Sequence, residues 1–174
     1  MTKQLDIVEI GAPILKQKAK PVPDLSDETL QTLIDDMLVT LKKSNGVGIA
    51  APQVNHALRI IIVASQPNER YPTAPLMSPV AMVNPTITHL SDEREFGWEG
   101  CLSVPGKRGF VPRSCFLALT YFDRKGIKRE VEYTDFLARI VQHEIDHLDG
   151  ICFVDRVTDT SQIVSEETYL NMIC

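Results

Sequence analysis

Thr134-Asp135-Phe136-Leu137-Ala138-Arg139-Ile140-Val141-Gln142-His143-Glu144-Ile145-Asp146-His147-Leu148-Asp149-Gly150 is the stretch on which the reading of this chain turns. Phe136, Leu137, Ile140, Val141, Ile145 and Leu148 recur at helical spacing, Thr134 stands where a helix is capped, and Gly150 stands where one stops. Inside that helix, His143 and His147 are four residues apart, so both imidazoles lie on one face about one turn apart and can grip a single cation. Glu144 adjoins the first histidine and can reach a water beside the cation without being a ligand itself. The competing explanation is a charged, solvated face that carries two histidines by chance. A capped, amphipathic helix around the motif favours the metal.

Two imidazoles need a third protein ligand. The position at which an extended HExxH pattern places a third histidine is Phe153, so that option fails. Glu166 and Glu167 lie about twenty residues downstream, where a thermolysin-like peptidase would supply a carboxylate. The third candidate is Cys101, in Gly97-Trp98-Glu99-Gly100-Cys101-Leu102-Ser103-Val104-Pro105. A thiolate beside two neutral imidazoles binds divalent metals strongly, and a Cys/His/His set leaves a coordination position open, as catalytic rather than structural sites do. Gly46-Val47-Gly48-Ile49-Ala50-Ala51-Pro52-Gln53 is also unusual: its small residues permit a tight backbone against which a substrate strand could lie, with Gln53 presenting an amide donor. Taken alone, this segment reads equally as a helix C-cap followed by a small-residue strand.

Working outward, Ser26 or Asp27 can cap a helix reaching about Ser44, with Leu30, Leu33, Ile34, Met37, Leu38 and Leu41 on one face and Asn45-Gly46 ending it. A shorter helix is predicted around Pro13 to Lys18. Arg59–Ala64, Val80–His89 and Phe116–Phe122 read as strands, and Gly126 turns a hairpin into Ile127–Tyr133. Gln66 to Pro79 holds four of the eleven prolines and reads as a loop. Strands grouped between helices, without βαβ alternation, predict an α+β domain rather than a doubly wound sheet.

The bulk numbers exclude other classes. A length of 174 residues fits one domain, with 44% hydrophobic and 24% charged residues. The charge of −5 gives no reason to expect nucleic-acid binding. No apolar run reaches membrane-spanning length, and Met1-Thr2-Lys3-Gln4-Leu5-Asp6 lacks the apolar core of a signal peptide, so a cytoplasmic location is expected. Cys115, Cys152 and Cys174 form no CxxC pair and read as buried or idle thiols.

Gly46–Gln53 (G-x-G-x-A-A-x-Q), Glu99–Ser103 (E-G-C-L-S) and Gln142–His147 (Q-H-E-x-D-H), in this order, resemble the three signature motifs of peptide deformylases. The resemblance implies an α+β fold in which antiparallel sheets surround the motif helix, with residues 1–174 as one catalytic domain. It implies hydrolysis of the formyl group from the N-terminal formylmethionine of newly made proteins, releasing formate. Cys101, His143 and His147 become ligands of one Fe2+, for which Zn2+, Ni2+ or Co2+ can substitute. Glu144 becomes the general acid/base, and Gln53 and the backbone N–H of Leu102 become donors to the developing oxyanion. Gly46, Gly48, Glu99, Gly100 and Arg108 become the groove for the peptide, with Phe136 and Ile140 facing the methionine side chain and Trp98 near the rim. Arg139 is expected at the pocket mouth or facing solvent.

The chemistry agrees with these roles. A cation lowers the pKa of a bound water, Glu144 can take its proton, and amide donors can stabilise charge on the formyl oxygen. Affinity order favours zinc over iron at most such sites, so iron rests on the resemblance. The tail from Ser161 to Cys174 carries two acids and no base, so ribosome docking through a basic terminal helix is not expected. A thermolysin-like peptidase and a purely structural metal module remain the alternatives.

Overall fold

The computed structural model describes residues 2–173; Cys174 lies outside them. Eleven elements carry the architecture: α1 (Glu28–Ser44), β1 (Gly48–Ala50), β2 (Ile60–Ser65), β3 (Met77–Leu90), β4 (Arg94–Cys101), β5 (Val104–Ser114), β6 (Phe116–Phe122), β7 (Lys128–Thr134), α2 (Asp135–Leu148), β8 (Ile163–Ser165) and α3 (Glu166–Ile173). The strands form two antiparallel sheets, one ordered β1-β2-β3-β6-β7 and the other β4-β5-β8. The α+β expectation holds, and helix α2 packs against strands of both sheets.

The run Ile60-Ile61-Ile62-Val63 explains how the larger sheet is covered. Successive side chains of a strand point to opposite faces. Ile60 and Ile62 meet Leu30, Leu33, Ile34, Met37 and Leu41 of α1. Ile61 and Val63 meet Ala138, Val141, Ile145 and Leu148 of α2. An unbroken β-branched run is what a strand buried on both faces requires. The smaller sheet has its own apolar contacts, Val104 and Val111 against Phe153.

Local signals set the helix ends, with one correction. Asp27 caps α1 by accepting from the Thr29 N–H at 2.8 Å, and Asn45 ends it in the left-handed conformation. Thr134 occupies the cap position of α2, but its side chain makes no capping bond. The helix is held by tertiary contacts instead: the Gln142 amide bonds the backbone N–H and C=O of Ser114 on β5, at 3.1 and 2.9 Å. Gly150 (φ +76°) follows α2, and a Cβ there would lie 2.7 Å from the Lys16 carbonyl oxygen, so glycine meets both a dihedral and a space requirement. Residues Pro13–Lys16 form a single 3-10 turn rather than the longer helix expected, because the chain turns extended at Gln17.

Strands β4 and β5 were not anticipated. Only two residues, Leu102 and Ser103, separate them, and their ladder slips register between Glu99 and Cys101. An irregularity of this kind re-aims side chains locally. It sets Cys101 at the strand end, beside α2.

Candidate active site

Cys101, His143 and His147 come together from β4 and α2, with their ligand atoms within 4.8 Å of one another. The Cys101 Sγ is 3.2 Å from His147 Nε2. His143 Nδ1 is 2.9 Å from Glu99 Oε2, which leaves Nε2 as its ligand atom. A carboxylate on the far nitrogen fixes the tautomer and raises the basicity of the near one. Glu166, a rival third ligand, instead accepts a hydrogen bond from Arg108 Nη2 (2.8 Å), and among the described residues the cluster includes neither Glu166 nor Glu167, which weighs against a thermolysin-like site. One thiolate and two imidazoles suit a divalent transition metal.

The charge balance of the cluster is compatible with a cation. In the chain by itself, burial opposes ionisation of Cys101, yet the two histidines outweigh it and bring the thiol down to about 5. Burial likewise opposes protonation of His147, but the adjacent Cys101 sulfur lifts it to about 10. His143 is raised by Cys101 and Glu99 in the same way. A buried thiolate thus holds protons on two imidazoles, positions a divalent ion can take over.

Beneath the cluster lies a buried ion network. Arg113 donates to both oxygens of Glu99 (2.9 and 3.0 Å) and to Asp146 (2.6 Å). Arg139 donates to Glu99 at 3.0 Å, and Arg156 donates to Asp146 at 2.8 Å. The Glu99 carboxyl is therefore held well below the usual range despite its burial, with His143 and Arg113 as the causes. A carboxylate buried this deeply is tolerable only with such partners, since an unpaired one costs several kcal/mol. Two expectations shift here. Glu99 lines the cavity, but its carboxylate is committed to Arg113, Arg139 and His143, so only its backbone is left for a peptide. Of the two placements expected for Arg139, the pocket holds and solvent does not: it lines the cavity, and its side chain is 12% exposed and bonds Glu99 and the carbonyls of Glu95 and Val111.

Glu144 is different. Its Oε2 is buried and has no hydrogen-bond partner among the described residues. Burial pushes its carboxyl up to about 7, with the histidines opposing. The side chain rests on Gly48, where a Cβ would fall 2.3 Å from Oε1. Gly48 therefore does more than shape a groove: it makes the space that the Glu144 carboxylate fills.

A cavity of about 240 Å³ opens over these groups. Of the residues expected at the site, only His147 is not among its lining; it sits behind Cys101. Gln53 accepts the Ala50 N–H at Oε1 (2.8 Å), while its Nε2 faces Cys101 Sγ (3.3 Å) and Ser103 Oγ (3.2 Å). Strand β1 is a sheet edge, pairing only with β2. The Ala50 N–H points off that edge to Gln53, so by the alternation of a strand Gly48 presents its backbone polar groups there too. Phe136 and Ile140 form the apolar wall below, with Val47 and Trp98. Tyr71 and Arg70 also line the cavity without any signal in the sequence, Tyr71 lying in the proline-rich loop where no periodicity marks it, and Glu166 lines it in a role other than the ligand considered above.

Comparison with known proteins agrees with this geometry. Residues 4–162 match the family described as polypeptide deformylase. The chain is 52% identical to peptide deformylase 2 of Nostoc sp., over 97% of this chain and 94% of that one. A crystal structure of a class I type b peptide deformylase from Acinetobacter baumannii with Met-Ala-Ser bound superposes with TM-score 0.88 at 49% identity, covering 90% of this chain and 100% of that one. The peptide deformylase of Thermotoga maritima gives TM-score 0.80 at 35% identity, covering 90% and 99%.

Proposed function

The chain belongs to the polypeptide deformylase family, and on that premise we propose how its own residues perform the reaction. The activity is removal of the N-formyl group from nascent peptides. The observation that carries the mechanism is Glu144: a buried carboxylate beside the Cys/His/His cluster, lining the cavity, with one oxygen free of partners.

Cys101, His143 and His147 hold one divalent cation, Fe2+ in the cell, with Zn2+, Ni2+ or Co2+ as substitutes. When bound, it supplies Lewis acidity that lowers the pKa of a neighbouring water. Gly46, Gly48 and Gly100 offer backbone to the peptide, and Phe136 and Ile140 take the methionine side chain. The Gln53 amide and the Leu102 N–H donate to the formyl oxygen as negative charge builds there. Glu144 Oε2 accepts the proton of the attacking water and returns it to the departing amine, and formate leaves. In the chain by itself burial raises this carboxyl to about 7, and a carboxyl raised above its ordinary value suits a group that must both accept and return a proton.

Residues 1–174 act as one catalytic domain on N-formylmethionyl nascent chains in the cytoplasm. No helix among the described residues is long and apolar enough to cross a membrane. Helix α3 carries two acids in its first turn and no base in its last.

The test is formate release from formyl-Met-Ala-Ser under anaerobic conditions, with metal measured on the same sample. Glu144→Gln retains the ligands and is expected to keep its metal while the rate falls by about 10² to 10⁴. A metal-loaded Glu144→Gln protein turning over within a few-fold of wild type removes Glu144 from the mechanism.

A further inference from the structure

We propose that β8 and α3 brace one side of the substrate cavity, with Glu166 in its lining, and that Tyr169 and Glu166 are positioning residues that hold Arg108 ready to engage the peptide main chain beyond formylmethionine. This rests on the reading that the cavity takes a formylated peptide. It concerns a segment past residue 162, where the match to the family description stops.

The segment is fastened at three levels. Backbone pairing sets Arg108 opposite Val164, with Lys107 and Gly109 opposite Ser165 and Ile163. Side-chain bonds follow: Arg108 Nη2 donates to Glu166 Oε1 at 2.8 Å, and Nη1 donates to Tyr71 Oη at 2.9 Å. Finally, the Tyr169 hydroxyl donates to the Arg70 carbonyl at 2.7 Å, which ties α3 to the loop that carries Tyr71. Arg108 is thereby caged. Its guanidinium lies on Gly100, where a Cβ would fall 2.2 Å from Nη1. The rings of Tyr169 and Tyr71 stand 5.2 and 5.6 Å from its Cζ.

The cage is continuous with the methionine pocket. Tyr71 packs on Phe136 (5.0 Å between centroids), and Tyr169 packs on Trp98 (5.9 Å). Phe136, Trp98, Tyr71, Arg108 and Glu166 all line the cavity. An arginine side chain loses much rotamer freedom when it engages a ligand. Here that ordering is complete before the peptide arrives, which favours affinity. Glu166 neutralises the guanidinium, so the N–H groups left over suit backbone carbonyls rather than an acidic side chain. The interaction is thus independent of the sequence that follows the methionine, as an enzyme acting on many nascent chains requires.

The experiment compares two substrates, formyl-Met-Ala-Ser and formyl-methionine amide, on the metal-loaded protein. Tyr169→Ala is expected to raise KM for the tripeptide about 10-fold with little change in kcat, and to weaken binding of the product Met-Ala-Ser by calorimetry in step. The loss in kcat/KM on the amide should be at least about threefold smaller, because the amide ends before Arg108. Tyr169→Phe keeps the ring and should recover most of the tripeptide affinity, and Glu166→Gln should bind better than Glu166→Ala. Equal losses on both substrates, or an unchanged tripeptide KM in folded Tyr169→Ala, overturn the proposal. Wild-type protein that releases formate from neither substrate would instead remove the proposed function, and this inference with it.

Discussion

Gly48→Ala tests the placement of Glu144 without altering Glu144 itself. The three atoms nearest a Cβ at Gly48 all belong to that side chain: Oε1 at 2.3 Å, with Cδ and Cγ at 2.8 Å. Ordinary contact begins near about 3.4 Å, so the carboxylate must retreat by roughly 1 Å. Gly48 does not occupy the left-handed region, so alanine meets no backbone strain. The unfolded chain loses freedom on Gly→Ala, worth about 0.4–1 kcal/mol in favour of folding, which offsets part of the local crowding. A thermal midpoint within about 4 °C of wild type is therefore expected. None of the three proposed ligands is touched, so metal content should be unchanged. A displacement of about 1 Å at a proton-transfer group costs on the order of 10² in rate, with about 10⁴ as the ceiling if its function is lost entirely. The assay is anaerobic formate release, reported per bound metal. A folded, fully loaded Gly48→Ala protein that works within about threefold of wild type would falsify the assignment of proton transfer to Glu144 in this position.

Cys101→Ala, His143→Ala and His147→Ala should each lose stoichiometric metal, and retention by the Cys101 variant would sink the ligand set. Glu99→Gln keeps the side chain's shape but leaves His143 without its carboxylate and Arg113 and Arg139 short of charge. Metal affinity by competition should fall about 10- to 100-fold, and unfolding free energy by about 3–5 kcal/mol. If affinity is unchanged, His143 does not depend on Glu99. The iron-loaded enzyme should lose activity faster in air than under argon, and nickel or cobalt loading should remove the difference, because a ferrous ion and a thiolate are both open to oxidation. Equal half-lives count against iron as the working metal.

The parts of this protein legible in its sequence are those set by short-range geometry. A spacing of four residues from His143 to His147 amounts to about one helical turn in any fold, and Asp27, Asn45, Gly126 and Gly150 act through their own dihedrals or nearest amides. The Ile60–Val63 run reads as a buried strand because β-branched residues without polar interruption have few other uses. Strands β4 and β5 were illegible for the opposite reason. Gly97, Gly100, Gly106, Gly109, Pro105 and Pro112 are poor strand formers, and Glu99, Arg108 and Arg113 break any apolar alternation.

Those breaks make sense only in three dimensions. Glu99 and Arg113 neutralise each other across the β4–β5 hairpin and meet Asp146 and His143 from α2, more than thirty residues away. Arg108 is sheltered by Tyr71 and Tyr169, from a proline-rich loop and the last helix. The sequence by itself therefore determined the motif helix, its two histidines, a short set of third-ligand candidates and the candidate acid/base beside them, because the residue types and spacing state that chemistry locally. Only the tertiary structure decided that Cys101 rather than Glu166 completes the cluster, that Glu99 lies beneath the site, and that Gly48 makes room for Glu144. Burial of a charge, and the space left by an absent Cβ, depend on partners that the chain brings together only when it folds.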